Sequence, residues 1–308
     1  MNINSVRISK DGNLLVTGGK DGYVTVWDYH EAIIVKRYKN KTGCIGLAIS
    51  NDGKYVASSC GFKNEAIIRV WELKNDKFLF DISGNEMEDQ IEAIEFTSDG
   101  RQLIAGGRKW EGIQSNNIRV WDIDSRRCIR KYSFDGFLVK AMRATSDGKK
   151  IIAGDAFSSP IRVWDVMSQR ECMRLCGHDL KNGSERCMIT PDDKMLLSVS
   201  LDGTARLYSL DNGHQLSAIR FSSGLTSCAI TRDASFGVIG SGSKKFATDI
   251  ERKASADKCV RVVDLKTRSV IGIKKFEAIP WDLALAPDEK SFVVVGDGYI
   301  EQVAMPTK

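Results

Sequence analysis

Alternating hydrophobic and polar positions recur around an acidic turn seven times along the chain. In every copy the residues three and five positions before the turn are nonpolar, as Val6 and Ile8 are before the first turn. This period-two spacing predicts a β-strand with one buried face. Successive turns are 41 to 55 residues apart, at Asp11-Gly12, Asp52-Gly53, Asp99-Gly100, Asp147-Gly148, Asp192-Asp193, Asp233-Ala234 and Asp288-Glu289.

A second and a third strand pattern follow each turn. The second is a more continuous apolar run, such as Leu14-Leu15-Val16, which is typical of a strand covered on both faces. The third carries an aromatic-acidic signature in four copies: Val26-Trp27-Asp28, Val70-Trp71-Glu72, Val120-Trp121-Asp122 and Val163-Trp164-Asp165. Weaker forms occupy the same place in the other three copies, at Leu207-Tyr208-Ser209, Val262-Val263-Asp264 and Gln302-Val303-Ala304. No segment with helical periodicity interrupts the series.

These signatures and their spacing resemble the WD-repeat family, and the resemblance covers the whole chain. It implies an all-β fold: a seven-bladed β-propeller built from four-stranded antiparallel blades, with strands a to d in each blade. We expect a single domain over residues 1–308. Its repeats are expected at approximately 1–40, 41–86, 87–136, 137–182, 183–223, 224–278 and 279–308.

The last repeat departs from the family pattern. Propellers of this family usually close by mixing strands from the two chain ends. Here the third strand of the last repeat lies just before Lys308, and only about four residues precede the first strand. We therefore expect the seventh blade to lack its outer strand. Either it has three strands, or a neighbouring segment of a longer protein, or a partner, supplies the fourth.

The family resemblance also implies a structural set of residues. It links a His before strand a, a Ser or Thr in strand b, an Asp in the b–c turn and the Trp of strand c. The best fit is His178, Ser198, Asp202 and Tyr208, with Tyr in place of Trp. The signature tryptophans are expected to be structural as well, namely Trp27, Trp71, Trp121 and Trp164.

Catalytic chemistry finds little support in the sequence. The eight cysteines form no C-x-x-C pair and no zinc-like spacing with the three histidines, so no metal or cofactor is predicted. The run from Gly237 to Lys245 is a near miss for a phosphate-binding loop. The inner strands are expected to be mostly apolar, which argues against a channel active site. We expect a protein that is not an enzyme and has no small-molecule substrate.

Aromatic and basic residues in the longer connections predict a binding face. The b–c connections of repeats 2, 3, 4 and 6 are long, whereas those of repeats 1, 5 and 7 are Asp-Gly turns. In the family these connections emerge on the same face as the d–a connections. The hypothesis is a protein- or peptide-binding surface, with the alternative that the aromatics fold back as plugs. Its residues are Phe62, Lys63, Arg108, Trp110, Phe137, Phe157, Lys244, Lys245, Phe246 and Trp281, where Phe137 and Trp281 are placed just before a strand a.

Basic pairs on the predicted outer strands leave a second function open. Lys36-Arg37, Arg130-Lys131 and Lys274-Lys275 are typical of charged edge strands that resist aggregation. The alternative is a propeller that binds phosphoinositides or nucleic acid, although a net charge of +5 is mild for this length. We expect an interaction scaffold whose partners are other proteins, peptide segments or adjacent domains of a longer chain. The location is expected to be intracellular and cytoplasmic, with the nucleus as the alternative.

Overall fold

The computed structural model describes residues 2–61, 66–82, 90–107, 118–134, 136, 138–156, 160–179, 183–243 and 257–306. Every regular element in these ranges is a β-strand, so they contain no helix that could cross a membrane. The strands form seven antiparallel sheets in chain order, six with four strands and the last with three. The predicted seven-bladed all-β propeller with a three-stranded last blade is confirmed.

Strand bounds repeat closely from blade to blade. Blade 1 contains β1 (Ile3–Ile8), β2 (Leu14–Gly19), β3 (Tyr23–Asp28) and β4 (Ile34–Lys39). Blade 2 contains β5 (Cys44–Ile49), β6 (Tyr55–Cys60), β7 (Ile67–Glu72) and β8 (Lys77–Ile82). Blade 3 contains β9 (Ile91–Phe96), β10 (Gln102–Gly107), β11 (Ile118–Asp122) and β12 (Arg127–Tyr132). Blade 4 contains β13 (Val139–Ala144), β14 (Lys150–Asp155), β15 (Ile161–Asp165) and β16 (Glu171–Leu175).

The remaining blades continue the series. Blade 5 contains β17 (Ser184–Ile189), β18 (Met195–Ser200), β19 (Thr204–Ser209) and β20 (Gln215–Arg220). Blade 6 contains β21 (Gly224–Ile230), β22 (Phe236–Ser243), β23 (Cys259–Asp264) and β24 (Ser269–Lys275). Blade 7 contains β25 (Pro280–Leu285), β26 (Ser291–Gly296) and β27 (Tyr299–Ala304).

The a–b turns owe their shape to a hydroxyl and a carboxylate two residues apart. In blade 1 the Ser9 hydroxyl donates to Asp11 at 2.5 Å and accepts the Leu14 N–H at 2.9 Å. The same hydroxyl-to-Asp bond recurs in the next five blades, at Ser50, Thr97, Thr145, Thr190 and Thr231. Blade 7 has Ala286 at this position and lacks the bond. The residue after each Asp has a positive φ, which explains the frequent Asp-Gly pairs.

The outer strands of blades 1 to 5 pack apolar residues on the third strand of the next blade. Tyr38 of β4 stacks on Trp71 of β7, and Tyr132 of β12 meets Trp164 of β15 edge-on. Leu175 shares a packed cluster with Tyr208. The signature positions of blades 2 to 6 are consequently buried, at Trp71, Trp121, Trp164, Tyr208 and Val263. Apolar burial of this kind is the main stabilising contribution at each junction.

Within the described residues, blade 7 and blade 1 close the ring through side-chain packing and hydrogen bonds, without a shared strand. Ile3, Val6 and Leu15 pack with Val293 and Val295 in one buried cluster. Asp282 of β25 accepts hydrogen bonds from the Val6 N–H at 3.2 Å and from the Arg7 guanidinium at 2.8 Å. These contacts join the two ends of the described chain across the junction.

Candidate functional site

The His178 constellation lies in blade 5 and is fully hydrogen-bonded. His178 Nε2 lies 2.7 Å from Ser198 Oγ, and Nδ1 lies 3.2 Å from Asp202 Oδ2 and 3.1 Å from Thr204 Oγ1. Asp202 also accepts the backbone N–H of Asp179 at 3.0 Å. Tyr208 donates its hydroxyl to the Cys176 carbonyl at 3.1 Å. The side chains therefore tie the segment before strand a to the b–c turn of the same blade.

The order Ser, His, Asp in this constellation has the connectivity of a hydrolase triad, but its burial excludes that chemistry. Ser198 is fully buried and His178 is only 6% exposed, so no substrate carbonyl reaches the hydroxyl. Burial lowers the pKa of His178 and keeps the imidazole neutral. Burial alone would raise the pKa of Asp202, but hydrogen bonds from His178 and Thr204 outweigh it and hold this pKa below its ordinary value. The arrangement stabilises the blade.

Among the signature tryptophans, the indole partners differ from blade to blade. Trp27 donates from Nε1 to Thr17 Oγ1 at 2.9 Å, the hydroxyl that corresponds in position to Ser198. Trp121 is buried, but Ala105 stands at that position in blade 3, and the indole N–H has no partner within the described residues. Trp71 and Trp164 are buried in the inter-blade clusters. Trp71, Trp121 and Trp164 therefore pack the blades and present little surface to solvent.

Of the ten residues predicted for the binding face, Trp281 is the only one within the described ranges. The hypothesis for Phe62, Lys63, Arg108, Trp110, Phe137, Phe157, Lys244, Lys245 and Phe246 falls outside those ranges. The prediction that Trp281 lies just before a strand a is wrong, because Trp281 is the second residue of β25. Its ring lies under Lys20, whose Nζ is 5.6 Å from the centroid.

Charged side chains from several inner strands converge on the central channel, a feature that the sequence pattern did not predict. A cavity of about 250 Å³ is lined by residues of several inner strands, including Arg7, Arg143, Arg186 and Asp282. Arg143 pairs with Glu95 at 3.3 Å, and Arg186 Nε lies 3.9 Å from Asp282. The expectation of mostly apolar inner strands is therefore wrong at these positions. Arg7 and Arg143 occupy a position of strand a at which four other repeats have alanine or methionine, so the repeat gives no consistent signal of charge there.

These channel charges form ion pairs with one another, and two of the arginines also donate hydrogen bonds to backbone carbonyls. Arg7 and Arg143 each donate to the carbonyl of the preceding residue, at 2.6 and 2.7 Å. The described residues contain no group of three or more His, Cys, Asp or Glu side chains that could hold a metal ion. The channel thus offers a network of ion pairs that links blades.

Three of the six basic residues in these outer-strand pairs form ion pairs within the described residues. Arg37 pairs with Asp21 at 3.2 Å and lies over the Tyr23 ring, 3.8 Å from its centroid. Lys274 pairs with Glu301 at 2.9 Å. Lys36 lies 3.6 Å from Asp76. Such pairing reduces the charge that these strands present to an anionic surface.

Comparison with known proteins agrees with this geometry. A family model described as "WD domain, G-beta repeat" matches residues 1–28 and 170–209, and the second match contains the whole His178 constellation. The protein groucho of Drosophila melanogaster is 26% identical over 250 residues, a stretch that covers 79% of this chain. The same stretch is 32% of that protein, so the chain spans about a third of its relative's length.

Proposed function

The chain belongs to the WD-repeat family of seven-bladed β-propellers, and from this premise we propose that it is a non-catalytic protein-interaction module. Its partners are proteins or peptide segments, including adjacent domains of a longer chain. They bind the face on which the b–c and d–a connections emerge. A rigid ring that carries variable connections at one edge is a common arrangement for recognition.

The observation that carries this proposal is the distribution of connection lengths. β22 ends at Ser243 and β23 begins at Cys259, and β10 and β11 are separated by residues 108–117. By contrast, β2 and β3 are joined through a tight turn in which Gly22 has a φ of 81°. Long b–c connections thus follow the second strands of blades 2, 3, 4 and 6, and their sequences contain eight of the ten aromatic and basic residues of the hypothesis.

The test compares two quadruple alanine variants. The first changes Phe62, Trp110, Phe157 and Phe246. The matched control changes four exposed hydrophobic residues elsewhere, Phe78, Ile129, Met167 and Leu216. Both are used with the wild type to capture proteins from extract, and all three are melted. The proposal predicts that the loop variant stays folded and loses specific partners, whereas the control keeps them.

Two results count against this binding face. A folded loop variant that keeps every partner removes the aromatic residues from recognition, and a variant that melts early identifies them as plugs. A complex that weakens steeply with salt and contains RNA, DNA or lipid supports the alternative of a nucleic-acid- or phosphoinositide-binding propeller. The ion pairs made by Lys36, Arg37 and Lys274 favour the protein partner over that alternative.

A further inference from the structure

The junction between blade 7 and blade 1 contains an open groove. In blades 1 to 6 an outer strand pairs with the third strand of its own blade, and in blades 1 to 5 its apolar residues also pack on the next blade. Blade 7 has no outer strand among the described residues, and β27 is its edge. A cavity of about 400 Å³ follows this edge, lined by Trp27 and Leu15 of blade 1 and by Tyr299 and Ile300 of blade 7. Trp27 is partly exposed there, unlike the buried tryptophans Trp71, Trp121 and Trp164.

β27 contains an apolar residue, Ile300, at a position that is buried in the other six blades. Ile300 pairs with Val295 as Val24 pairs with Gly18 in blade 1. The residues at the Ile300 position in blades 1 to 6 are all at most 2% exposed: Val24, Ile68, Ile118, Ile161, Ala205 and Val260. In blades 1 to 5 the outer-strand residue opposite this position is bulky and apolar: Tyr38, Ile82, Tyr132, Leu175 and Ile219. Ile300 is partly exposed, and no residue of the described ranges occupies the corresponding place beside it.

The backbone of β27 also presents unpaired hydrogen-bonding groups. Met305 donates its N–H to the Lys290 carbonyl at 2.8 Å, which fixes the phase of the β26–β27 ladder. Bonded and non-bonded positions alternate in an antiparallel pair, so the N–H and C=O groups of Ile300, Gln302 and Ala304 face away from β26. An unpaired edge of this kind accepts an extended segment as an additional strand.

The outer strands on both sides of blade 7 expose more hydrophobic surface than the others. Ile33, Ile34 and Val35 are 49 to 59% exposed at blade 1, and three residues of β24 are 41 to 60% exposed, namely Val270, Ile271 and Ile273. Each of the outer strands β8, β12, β16 and β20 carries at most one such residue. The apolar surface of the rim is thus concentrated around the blade that lacks a fourth strand, as expected for a docking surface.

The charge of the neighbouring outer strands indicates which kind of segment would bind at this edge. The flanking strands β4 and β24 contain five lysine or arginine residues and no carboxylate. Lys39 and Lys275 make no ion pair within the described ranges, and both lie at the strand ends nearest the b–c turns. A strand antiparallel to β27 would have its carboxyl end at the same b–c end of the blades as these lysines. Acidic residues at that end would complement them.

We propose that the β27 edge and the groove beside Trp27 bind an extended segment of a partner protein, which adds as the fourth strand of blade 7. This segment carries bulky apolar residues at alternate positions, one of them opposite Ile300, and acidic residues at its carboxyl end. The site lies on the rim and is independent of the loop face proposed above. Variants of the two surfaces can therefore be tested separately.

The test uses a fluorescein-labelled nonapeptide of sequence Thr-Val-Thr-Val-Thr-Tyr-Thr-Asp-Asp as the probe and the full chain as receptor. Gln302→Pro removes an outward N–H without removing a bond to β26, and prolines are tolerated on edge strands. Gln302→Ala is the matched control because it keeps the N–H and removes the side-chain bonds to Tyr29 and Ser291. Fluorescence anisotropy gives the affinities, and thermal melting verifies that both variants fold.

The expected result is saturable binding to the wild type at concentrations below about 1 mM. Gln302→Pro is expected to weaken it about tenfold or more, and Gln302→Ala less than about threefold. A peptide of the same composition in shuffled order is expected to bind more weakly than the probe. The proposal is overturned if the wild type does not bind the peptide, or if Gln302→Pro binds it equally well. Slow hydrogen exchange of β27 without peptide also overturns it, because a second copy or the protein's own chain would then fill the edge.

Discussion

The aromatic ring of Tyr38 in blade 1 lies stacked on the indole ring of Trp71 in blade 2, with the ring centroids 5.2 Å apart. Both side chains are less than 9% exposed. The contact shows how an outer strand stabilises the blade after it: the side chain reaches across the junction and covers the signature residue. The propeller therefore depends on its outer strands for inter-blade packing as well as for sheet pairing.

Removal of the Tyr38 ring is expected to cost about 3 kcal/mol in the free energy of unfolding, because Tyr38→Ala leaves a cavity over Trp71. Ile34→Ala on the same strand is the control, since Ile34 is half exposed and should change stability by less than about 0.5 kcal/mol. Urea denaturation of both variants measures the difference. Equal effects of the two substitutions would contradict the packing role of Tyr38.

Blade 7 has Ala286 where the other blades have a serine or threonine, so a hydroxyl introduced there is expected to stabilise the protein. Ala286→Thr would supply a donor to Asp288 and an acceptor for the Ser291 N–H, as Thr145 does for Asp147 and Lys150. We expect a stabilisation of about 1 kcal/mol, measured by chemical denaturation. Thr145→Ala is the reciprocal variant and should lose a similar amount. A destabilised Ala286→Thr would mean that the buried site does not tolerate the larger side chain.

The left-handed turn residue of blade 4 tests the backbone contribution alone. Gly148 has a φ of 68°, and a Cβ there would meet no atom within 4 Å. Gly148→Ala is expected to cost about 1 kcal/mol because only conformational strain opposes it. Gly148→Asn should cost less, since asparagine adopts this conformation more readily. Thermal melting distinguishes the two, and an equal cost for both would contradict a purely backbone origin.

The a–b turn carboxylates predict a loss of stability in acid. Hydroxyl hydrogen bonds from Ser9, Thr97 and Thr190 are the largest cause that lowers the pKa values of Asp11, Asp99 and Asp192. A carboxyl whose pKa is lower in the folded state stabilises the fold above its unfolded pKa of about 3.9 and loses this contribution as the pH falls through the folded value.

The free energy of unfolding should therefore decrease as the pH is lowered below about 4. A triple variant with Ser9, Thr97 and Thr190 changed to alanine should show a shallower decrease, because its carboxyl pKa values lie closer to those of the unfolded chain. Urea titrations between pH 3 and 7 measure both slopes. Identical slopes for the two proteins would show that these turns do not govern the acid response.

His178 is expected to be structural, and a second histidine serves as its control. His178→Ala leaves Ser198 and Asp202 buried without their partner, so it should cost about 2 to 4 kcal/mol. His214 is exposed, and His214→Ala should be nearly neutral. Denaturation curves give both values. A His178→Ala variant with unchanged stability but altered binding would assign this residue to recognition instead.

The sequence predicted the architecture well because its signals repeat. Seven acidic turns and the Trp-Asp signatures are local features, and each copy reinforces the others. The same periodicity predicted the open last blade, since only one strand pattern follows the turn at Asp297-Gly298. The residues at the turns and at the signature positions thus predicted both the number and the order of the strands.

Features that arise between blades were less accessible from the sequence. The channel charges Arg7, Arg143 and Arg186 each come from a different repeat, and only the closed ring brings them together. The groove beside Trp27 depends on the neighbour that blade 1 acquires when the ring closes. The sequence likewise indicated the basic pairs of the outer strands, but not the carboxylates that pair with them, such as Glu301 for Lys274.

The most direct test of this account is residue-resolved hydrogen exchange of the third strands in the full chain. β27 is expected to have fast-exchanging amides at Ile300, Gln302 and Ala304, whereas the corresponding amides of β19, at Ala205, Leu207 and Ser209, should be protected by β20. Addition of the acidic nonapeptide should slow the β27 amides and leave those of β19 unchanged. Equal protection of β27 and β19 without peptide, or no change on its addition, would contradict an open edge that binds a partner strand.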